Sequence, residues 1–563
     1  MQIFCQFTFL LAVIKVTPSY SQNQEGRVNL SPGVQISGDR FTSAKQRGRV
    51  GYVYYGIRYG TARRFENSVE NQDFSYLRNN SRVKAGPVCP QRTVPSIETG
   101  ITAVNQIQDE DCLYLDVYVP PMKSNTSPTS ALPVMVWIYG GGFQIGDKDV
   151  YNSTALADDI EAIVVTINYR VSIFGFFSTG DSIARGNYGI GDIKLALQWV
   201  KKNIGKFGGD PQKIAIFGES AGAVATSILL LDQTVRNSVR AVLSLSGSVL
   251  MDLVYTRDPK RETEELASKA GCPVASSSQL VACLKRIPTQ TLLAAAKGFA
   301  EPPAKNLCPY GIVKDGVHLK DAPLRALEAV ARTSGGGPNH VTGYLREDYS
   351  LLLSITNPEF LDPRTPLTLN VIRDLVANQF ILNQGGPKCA EPNYALAQDI
   401  MNYYNFSATD SRAVTLNKLF HLTTDSVFAY PAAKESLLYA NAARTRPTGS
   451  PSNQLYMISY NPNFNGLGAY HGFDLPNVFF PALQTPGLPM NPRLITSMRQ
   501  LLRQIAYNGR MNAPDFGQNG QYMELGQSAQ WQPGTYNHFP MIQFWDAVSK
   551  TPCSMSMTNA QQA

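Results

Sequence analysis

At 563 residues, with 43% apolar and 17% charged residues, the chain has the composition of a folded globular protein and not of a disordered one. Its formal charge of +7 is small for this length, no basic block concentrates it, and no nucleic-acid-binding motif occurs, so the charge names no partner. Length alone would suggest roughly three or four domains of ordinary size.

The chain opens on an apolar stretch, Ile3 to Val16 (IFCQFTFLLAVIKV), interrupted by Gln6 and Lys15 and followed by Ser19-Tyr20-Ser21. Small residues at the two positions a signal peptidase reads predict a secretory signal peptide over 1–21, although the basic n-region is missing. No later run approaches the roughly 18 to 20 apolar residues needed to span a bilayer. The C-terminal SKTPCSMSMTNAQQA carries neither an apolar anchor tail nor an ER-retention signal. A soluble, secreted, extracellular protein without a membrane anchor is the expectation.

Cys5 leaves with the leader, so seven of the eight cysteines remain: Cys89, Cys112, Cys272, Cys283, Cys308, Cys389 and Cys553. None forms a CxxC pair, which argues against zinc and thioredoxin-like chemistry. An oxidising compartment favours disulfides instead. An odd count leaves at least one thiol free or paired with another chain. Sequons at Asn29, Asn79, Asn125, Asn152 and Asn405 are candidate glycosylation sites on the same route.

To about residue 60 the sequence is made of short alternating pieces, which predicts a small antiparallel extension. Six apolar runs then read as buried parallel strands: 133–139 (PVMVWIY), 162–169 (AIVVTINY), 213–217 (KIAIF), 239–245 (VRAVLSL), 340–345 (HVTGYL) and 455–460 (LYMISY). Between the second and third, Ile193, Leu197, Val200 and Ile204 mark the apolar face of a helix that stops at Gly208-Gly209-Asp210-Pro211. Strands alternating with helices predict an α/β fold with a parallel sheet covered on both faces. The polar, turn-rich segment 512–540 is expected only as surface. No internal repeat or low-complexity linker divides the chain.

Gly218-Glu219-Ser220-Ala221-Gly222 is a G-x-S-x-G element, with the strand KIAIF before it and the helix-forming AVATSILLL after it. Such a strand-to-helix turn lifts a serine hydroxyl above the sheet, and glycines two before and two after are needed where side chains would collide with neighbouring elements. The helix N-terminus favours developing negative charge there. A serine nucleophile needs an oxyanion hole. Gly140-Gly141-Gly142, directly after strand PVMVWIY, offers the N–H groups of Gly141 and Gly142, with that of Ala221 as the third donor. It also needs a base. Of the five histidines, His471 alone lies in a glycine-rich loop after a predicted strand (GAYHGFDLP); His340 sits inside a strand pattern and reads as core, and His318 carries no such context. His421 and His538 are not excluded by pattern.

The stretches WIYGGGF, EDCLYLDVYVP, INYRVSIFGFF, GNYGIGDIKLALQWVKKNIGKFGGDP, FGESAGA and GAYHGFDLPNVFF resemble, in order and from about residue 50 to 545, the type-B carboxylesterase/cholinesterase family. The resemblance implies an α/β-hydrolase fold: a mostly parallel central sheet flanked by helices, as one large domain over 22–563 in place of several. It implies Ser220 as nucleophile, His471 as base, and Gly141, Gly142 and Ala221 as oxyanion donors. It also implies disulfides Cys89–Cys112 and Cys272–Cys283, a small-molecule ester as substrate, and neither metal nor organic cofactor.

The family's acid stands five residues after the glycine of its strand, usually as glutamate before glycine. Counting from Gly343 in GYLREDYSLLL reaches Asp348, with Glu347 as the competing choice and solvated neighbour. Aspartate is one methylene shorter, and Tyr349 replaces the glycine, so the reach to His471 is in question. Two other readings are set against a serine esterase. Adhesion proteins of the family keep the fold but often lose the serine and usually carry a transmembrane helix; this chain keeps the serine and lacks the helix. A cholinesterase is expected to hold a tryptophan ten residues before Cys112, for cation–π binding of a quaternary ammonium. Thr102 stands there. The acyl-pocket region falls near 306–310 (NLCPY), where Tyr310 is the one aromatic residue and Cys308 a candidate lining residue. A general carboxylesterase is therefore favoured, with Glu219 beside the nucleophile bracing the turn or favouring cationic substrates.

Overall fold

Runs such as LPVMVWI and IVVTI have no polar alternation because both of their faces are covered. In the computed structural model, which describes residues 26–74, 76, 86–92, 107–123, 131–256, 258–298, 308–333, 337–381, 392–443, 451–463, 466–484, 487–517, 519–535 and 537–551, they are central strands. The strands are β1 (Arg27–Ser31), β2 (Val34–Ser37), β3 (Asp39–Thr42), β4 (Arg49–Arg58), β5 (Gly60–Thr61), β6 (Val69–Glu70), β7 (Tyr114–Lys123), β8 (Leu132–Ile138), β9 (Ile163–Ile167), β10 (Gly209–Glu219), β11 (Ala241–Leu245), β12 (Asn339–Leu345), β13 (Asn453–Ile458), β14 (Gln521–Leu525) and β15 (Trp531–Thr535).

Eleven of them form one sheet in the order β3-β4-β7-β9-β8-β10-β11-β12-β13-β14-β15. From β9 to β14 every pairing is parallel. Antiparallel strands flank that run on both sides. The expected N-terminal extension is present as the separate β1–β2 hairpin, while β3 and β4 join the large sheet. Helices cover the sheet: Tyr188–Asn203 buries Ile190, Ile193, Ala196, Leu197 and Val200, and Pro492–Asn508 buries Leu494, Met498, Leu501, Leu502 and Ile505. This is an α/β-hydrolase architecture.

Segment 512–540 departs from the expectation. It supplies β14, which extends the parallel run, and β15, which closes the edge antiparallel to it. Its turn residues hid a short strand, Gln521–Leu525, in which Tyr522, Met523 and Leu525 are buried.

Chain order and spatial order part company at β9-β8-β10. The connections on the two sides of β8 diverge, and it is beyond the C-terminal strand ends at such a switch point that α/β sheets bind ligands. The loop after β8 is held there from several directions. Tyr139 and Tyr169 stack at 4.4 Å and exchange hydroxyl-to-carbonyl bonds of 3.0 and 2.7 Å. The Gln91 amide pairs with both backbone groups of Gly146, at 2.8 Å each. Lys148, wholly buried, donates to Asp116 at 2.9 Å, and Asp116 also accepts from Gly56 N–H at 2.7 Å. A buried pair of this kind adds little net stability, but removing one partner strands the other charge and costs about 3–5 kcal/mol. Cys89 is joined to Cys112 and Cys272 to Cys283, with Cα–Cα spans of 5.0 and 5.8 Å. Cys389 and Cys553 lie outside the described residues.

Candidate active site

Strand β10 ends at Glu219, and the helix Ala221–Leu229 begins one residue later, so Ser220 carries the whole change of direction. Its backbone stands at φ 56°, ψ −126°, a conformation that costs an L-residue about 1–3 kcal/mol. The flanking glycines explain how the turn fits. A Cβ on Gly218 would lie 2.5 Å from the carbonyl of Gly222, and one on Gly222 would lie 2.1 Å from the carbonyl oxygen of Ile138 in β8. Both obstacles are backbone, which cannot swing aside. Beneath the turn, Trp137 and Phe217 pack with ring centroids 4.8 Å apart.

The glycine loop meets this turn edge-on. A Cβ on Gly140 would lie 2.7 Å from the Glu219 carbonyl oxygen and 2.9 Å from Ser220 Cβ. Gly141 and Gly142 both have positive φ, 97° and 62°. Among the described residues, no hydrogen bond uses the N–H groups of Gly141, Gly142 or Ala221. The loop is fixed by bonds from Gln144 N–H to Gly141 O at 2.9 Å and from the Gln144 amide to the carbonyls of Gly142 and Tyr310.

Against the Ser220 turn stands His471, buried to 8% exposure. Its Nε2 lies 2.8 Å from Ser220 Oγ and its Nδ1 2.7 Å from Asp348 Oδ1. A carboxylate only accepts, so in the neutral ring Nδ1 carries the proton and Nε2 is left to accept from the serine hydroxyl. Asp348 is fully buried, and its other oxygen accepts from Leu345 N–H at 2.9 Å. The shorter aspartate reaches because the backbone comes to meet the ring: His471 N–H donates to the Asp348 carbonyl at 3.1 Å. Tyr349 replaces glycine without strain, since its backbone is right-handed (φ −81°, ψ −7°). Phe428 covers the imidazole at a centroid distance of 4.9 Å.

Three buried acids surround the ring. Burial opposes a charge on His471, but Glu219, Asp348 and Asp474 outweigh it and lift the imidazole to about 9. Glu219 Oε1 is 3.3 Å from Nε2, and burial pushes its own carboxyl well above the ordinary range. Asp474, three residues after His471 and 1% exposed, is raised by burial and by Asp348. Asp474 belongs to no motif in the sequence; its one signal there is an acid three residues beyond the histidine.

Glu347 is not the solvated neighbour that was expected. Its side chain is 18% exposed, and Oε2 accepts from Ala469 N–H at 2.9 Å in the histidine loop. His340 is core, 3% exposed in β12 and edge-on to Tyr439 at 5.4 Å. His318, His421 and His538 make no described bond to Ser220. Cys308 and Tyr310 are buried, and Tyr310 meets the glycine loop through Gln144; Thr102 and Asn306 lie outside the described residues. All four tryptophans are taken up in packing: Trp137, Trp199 and Trp545 are buried, and Trp531 sits at the sheet edge against Tyr456 at 5.6 Å. Among the described residues no cluster of His, Cys, Asp or Glu could hold a metal ion. Of the sequons, Asn29 and Asn405 are exposed, whereas Asn152 is half-buried and accepts from Thr154 at 2.8 and 3.1 Å. Asn79 and Asn125 lie outside the described residues.

Fold and site together define an α/β-hydrolase with a serine at its strand-to-helix turn. The chain matches the carboxylesterase family over residues 24–552 and belongs to it, and so to the carboxylic-ester hydrolases. It is 30% identical to carboxylesterase 1E of Mus musculus over 446 residues, 75% of each chain. It is 30% identical to bile salt-activated lipase of Mus musculus over 447 residues, 77% of this chain and 70% of that one. With liver carboxylesterase 1 of Oryctolagus cuniculus the identity is 36% over 277 residues, 47% of this chain and 48% of that protein.

A carboxylate beside the ring favours imidazolium, so removing the Glu219 charge must lower the His471 pKa. In Glu219→Gln the ring signals of His471 should titrate at a lower pH than in the wild type. An unchanged midpoint would mean that Glu219 carries no charge beside the ring.

Proposed function

We propose that the protein is a secreted serine esterase that hydrolyses carboxylic esters through an acyl-enzyme on Ser220. The observation that carries this reading is the unbroken row from Ser220 Oγ through His471 to Asp348, at 2.8 and 2.7 Å. With the ring in its neutral form, His471 Nε2 takes the Ser220 proton as Oγ attacks the ester carbonyl. The carbonyl oxygen becomes an oxyanion, held by the N–H groups of Gly141, Gly142 and Ala221. As the tetrahedral intermediate collapses, the C–O bond to the alcohol breaks and His471 returns the proton to the leaving oxygen. Water repeats the sequence on the acyl-enzyme, freeing the acid and Ser220. Asp348 holds the Nδ1–H tautomer and stabilises the imidazolium. Burial of the ring and its neighbours excludes water, so the imidazolium that forms is stabilised more strongly than it would be in solvent.

Two measurements test the roles. A fluorophosphonate probe should label the wild type and leave Ser220→Ala unlabelled. Asp348→Asn should lower kcat by orders of magnitude, toward the ~10⁴ seen when a triad acid is neutralised, while Glu347→Gln should change it far less. An unlabelled wild type would sink the esterase reading, and the reverse ranking would make Glu347 the acid.

For substrate class we favour uncharged carboxylic esters over choline esters. Support comes from the four tryptophans: Trp137, Trp199 and Trp545 are buried, and Trp531 stands on the edge strand β15, away from Ser220. Short-chain p-nitrophenyl esters should turn over faster than acetylthiocholine; the opposite order would overturn this preference.

We read residues 1–21 as a leader and 22–563 as one domain. Two disulfides and exposed sequons at Asn29 and Asn405 support the secretory route. Protein recovered from the medium of expressing cells should begin near Gln22. Recovery only inside the cells, with Met1 intact, would count against it.

A further inference from the structure

Glu347 immediately precedes the acid that faces His471, yet its own side chain is directed to a different target. Oε2 accepts from Ala469 N–H at 2.9 Å, and the Glu347 N–H donates to the Ala469 carbonyl at 3.3 Å. Both backbone groups of the residue two before His471 are thus held by one residue. Close approach is built in: Gly468 has φ +71°, and a Cβ there would stand 2.6 Å from Glu347 Oε2. The neighbours of Glu347 continue the seam. The Asp348 carbonyl accepts from His471 N–H at 3.1 Å, and Ser350 Oγ donates to Leu467 O at 2.7 Å.

The other contact of this carboxylate does not explain its burial. Arg346 Nε lies 3.5 Å from Oε1, but Arg346 is 55% exposed, and surface pairs of this kind contribute little. A half-buried carboxyl with its pKa raised by burial is costly unless a hydrogen bond compensates. The Ala469 N–H supplies that bond.

We propose that Glu347 is a positioning residue: by holding Ala469 it sets the height of the His471 imidazole between Ser220 and Asp348. This rests on the esterase reading above. What matters is an acceptor at Oε2, not the charge, so glutamine substitutes for it and leucine does not.

The test compares Glu347→Gln and Glu347→Leu, with Glu347→Ala in place of the leucine variant if that does not fold. Readouts are kcat and KM on p-nitrophenyl butyrate, the Tm, and the low-field proton signal of the His471 Nδ1–H. Displacing a reacting group by about 1 Å can cost about 10²-fold in rate. Leucine should lower kcat about 10- to 100-fold with KM within about threefold, and should shift or broaden the low-field signal. Glutamine should stay within about threefold of wild type on every readout. Equal losses in the two variants, or an unchanged low-field signal in the leucine variant, would overturn the proposal. The signal needs no turnover. An inactive wild type with a Glu347-dependent signal would therefore sink the esterase reading and leave this one standing.

Discussion

The site depends on a close approach between two backbones. Gly222 and Gly140 let the turn at Ser220 press against the carbonyls of β8 and the loop that follows it, with no room for a single carbon atom. That contact holds Ser220 at positive φ and sets the glycine loop beside it. It is possible only because β8 and β10 are neighbours in the sheet although β9 lies between them in sequence. Topology, glycine placement and strain are one constraint seen at three scales.

Around that turn the molecule stacks acids in a nearly dry space. Glu219, Asp348 and Asp474 are each no more than 3% exposed, and each favours a charge on His471. Isolated buried carboxylates tend to take up protons, and burial raises the carboxyls of Glu219 and Asp474 here; a charge on the imidazole opposes that rise, and Asp348 accepts from the backbone N–H of Leu345. The arrangement stores electrostatic attraction at a single ring. Its orientation is then fixed by neighbours on several elements: Asp348 from the end of β12, Phe428 above, and the 467–471 backbone itself.

Much of the fold was legible because the central strands are uninterrupted apolar runs, and their bounds fall within a few residues of expectation: 133–139 against Leu132–Ile138, 340–345 against Asn339–Leu345. Segment 512–540 was misjudged because β14 is short and lies among Asn, Gly and Gln, so turn chemistry outweighed a weak strand pattern. At the site, Ser220 and the glycine loop carry local signals, since their neighbours in sequence are the cause of their geometry. Asp348 was reached only by counting within a resemblance. Glu347 misled because an acid next to an acid looks solvated, whereas its partner, Ala469, is 122 residues away and invisible to any local pattern.

The same distances bear on how the chain comes to life. Ser220 and His471 are separated by 251 residues, and the acid lies between them. A ribosome that has delivered everything through β11 has already made the complete elbow and its glycine loop, but no imidazole to draw on the hydroxyl. On the roles proposed for Ser220 and His471, the nascent molecule has no working site for esters until the last quarter of its length has emerged and docked.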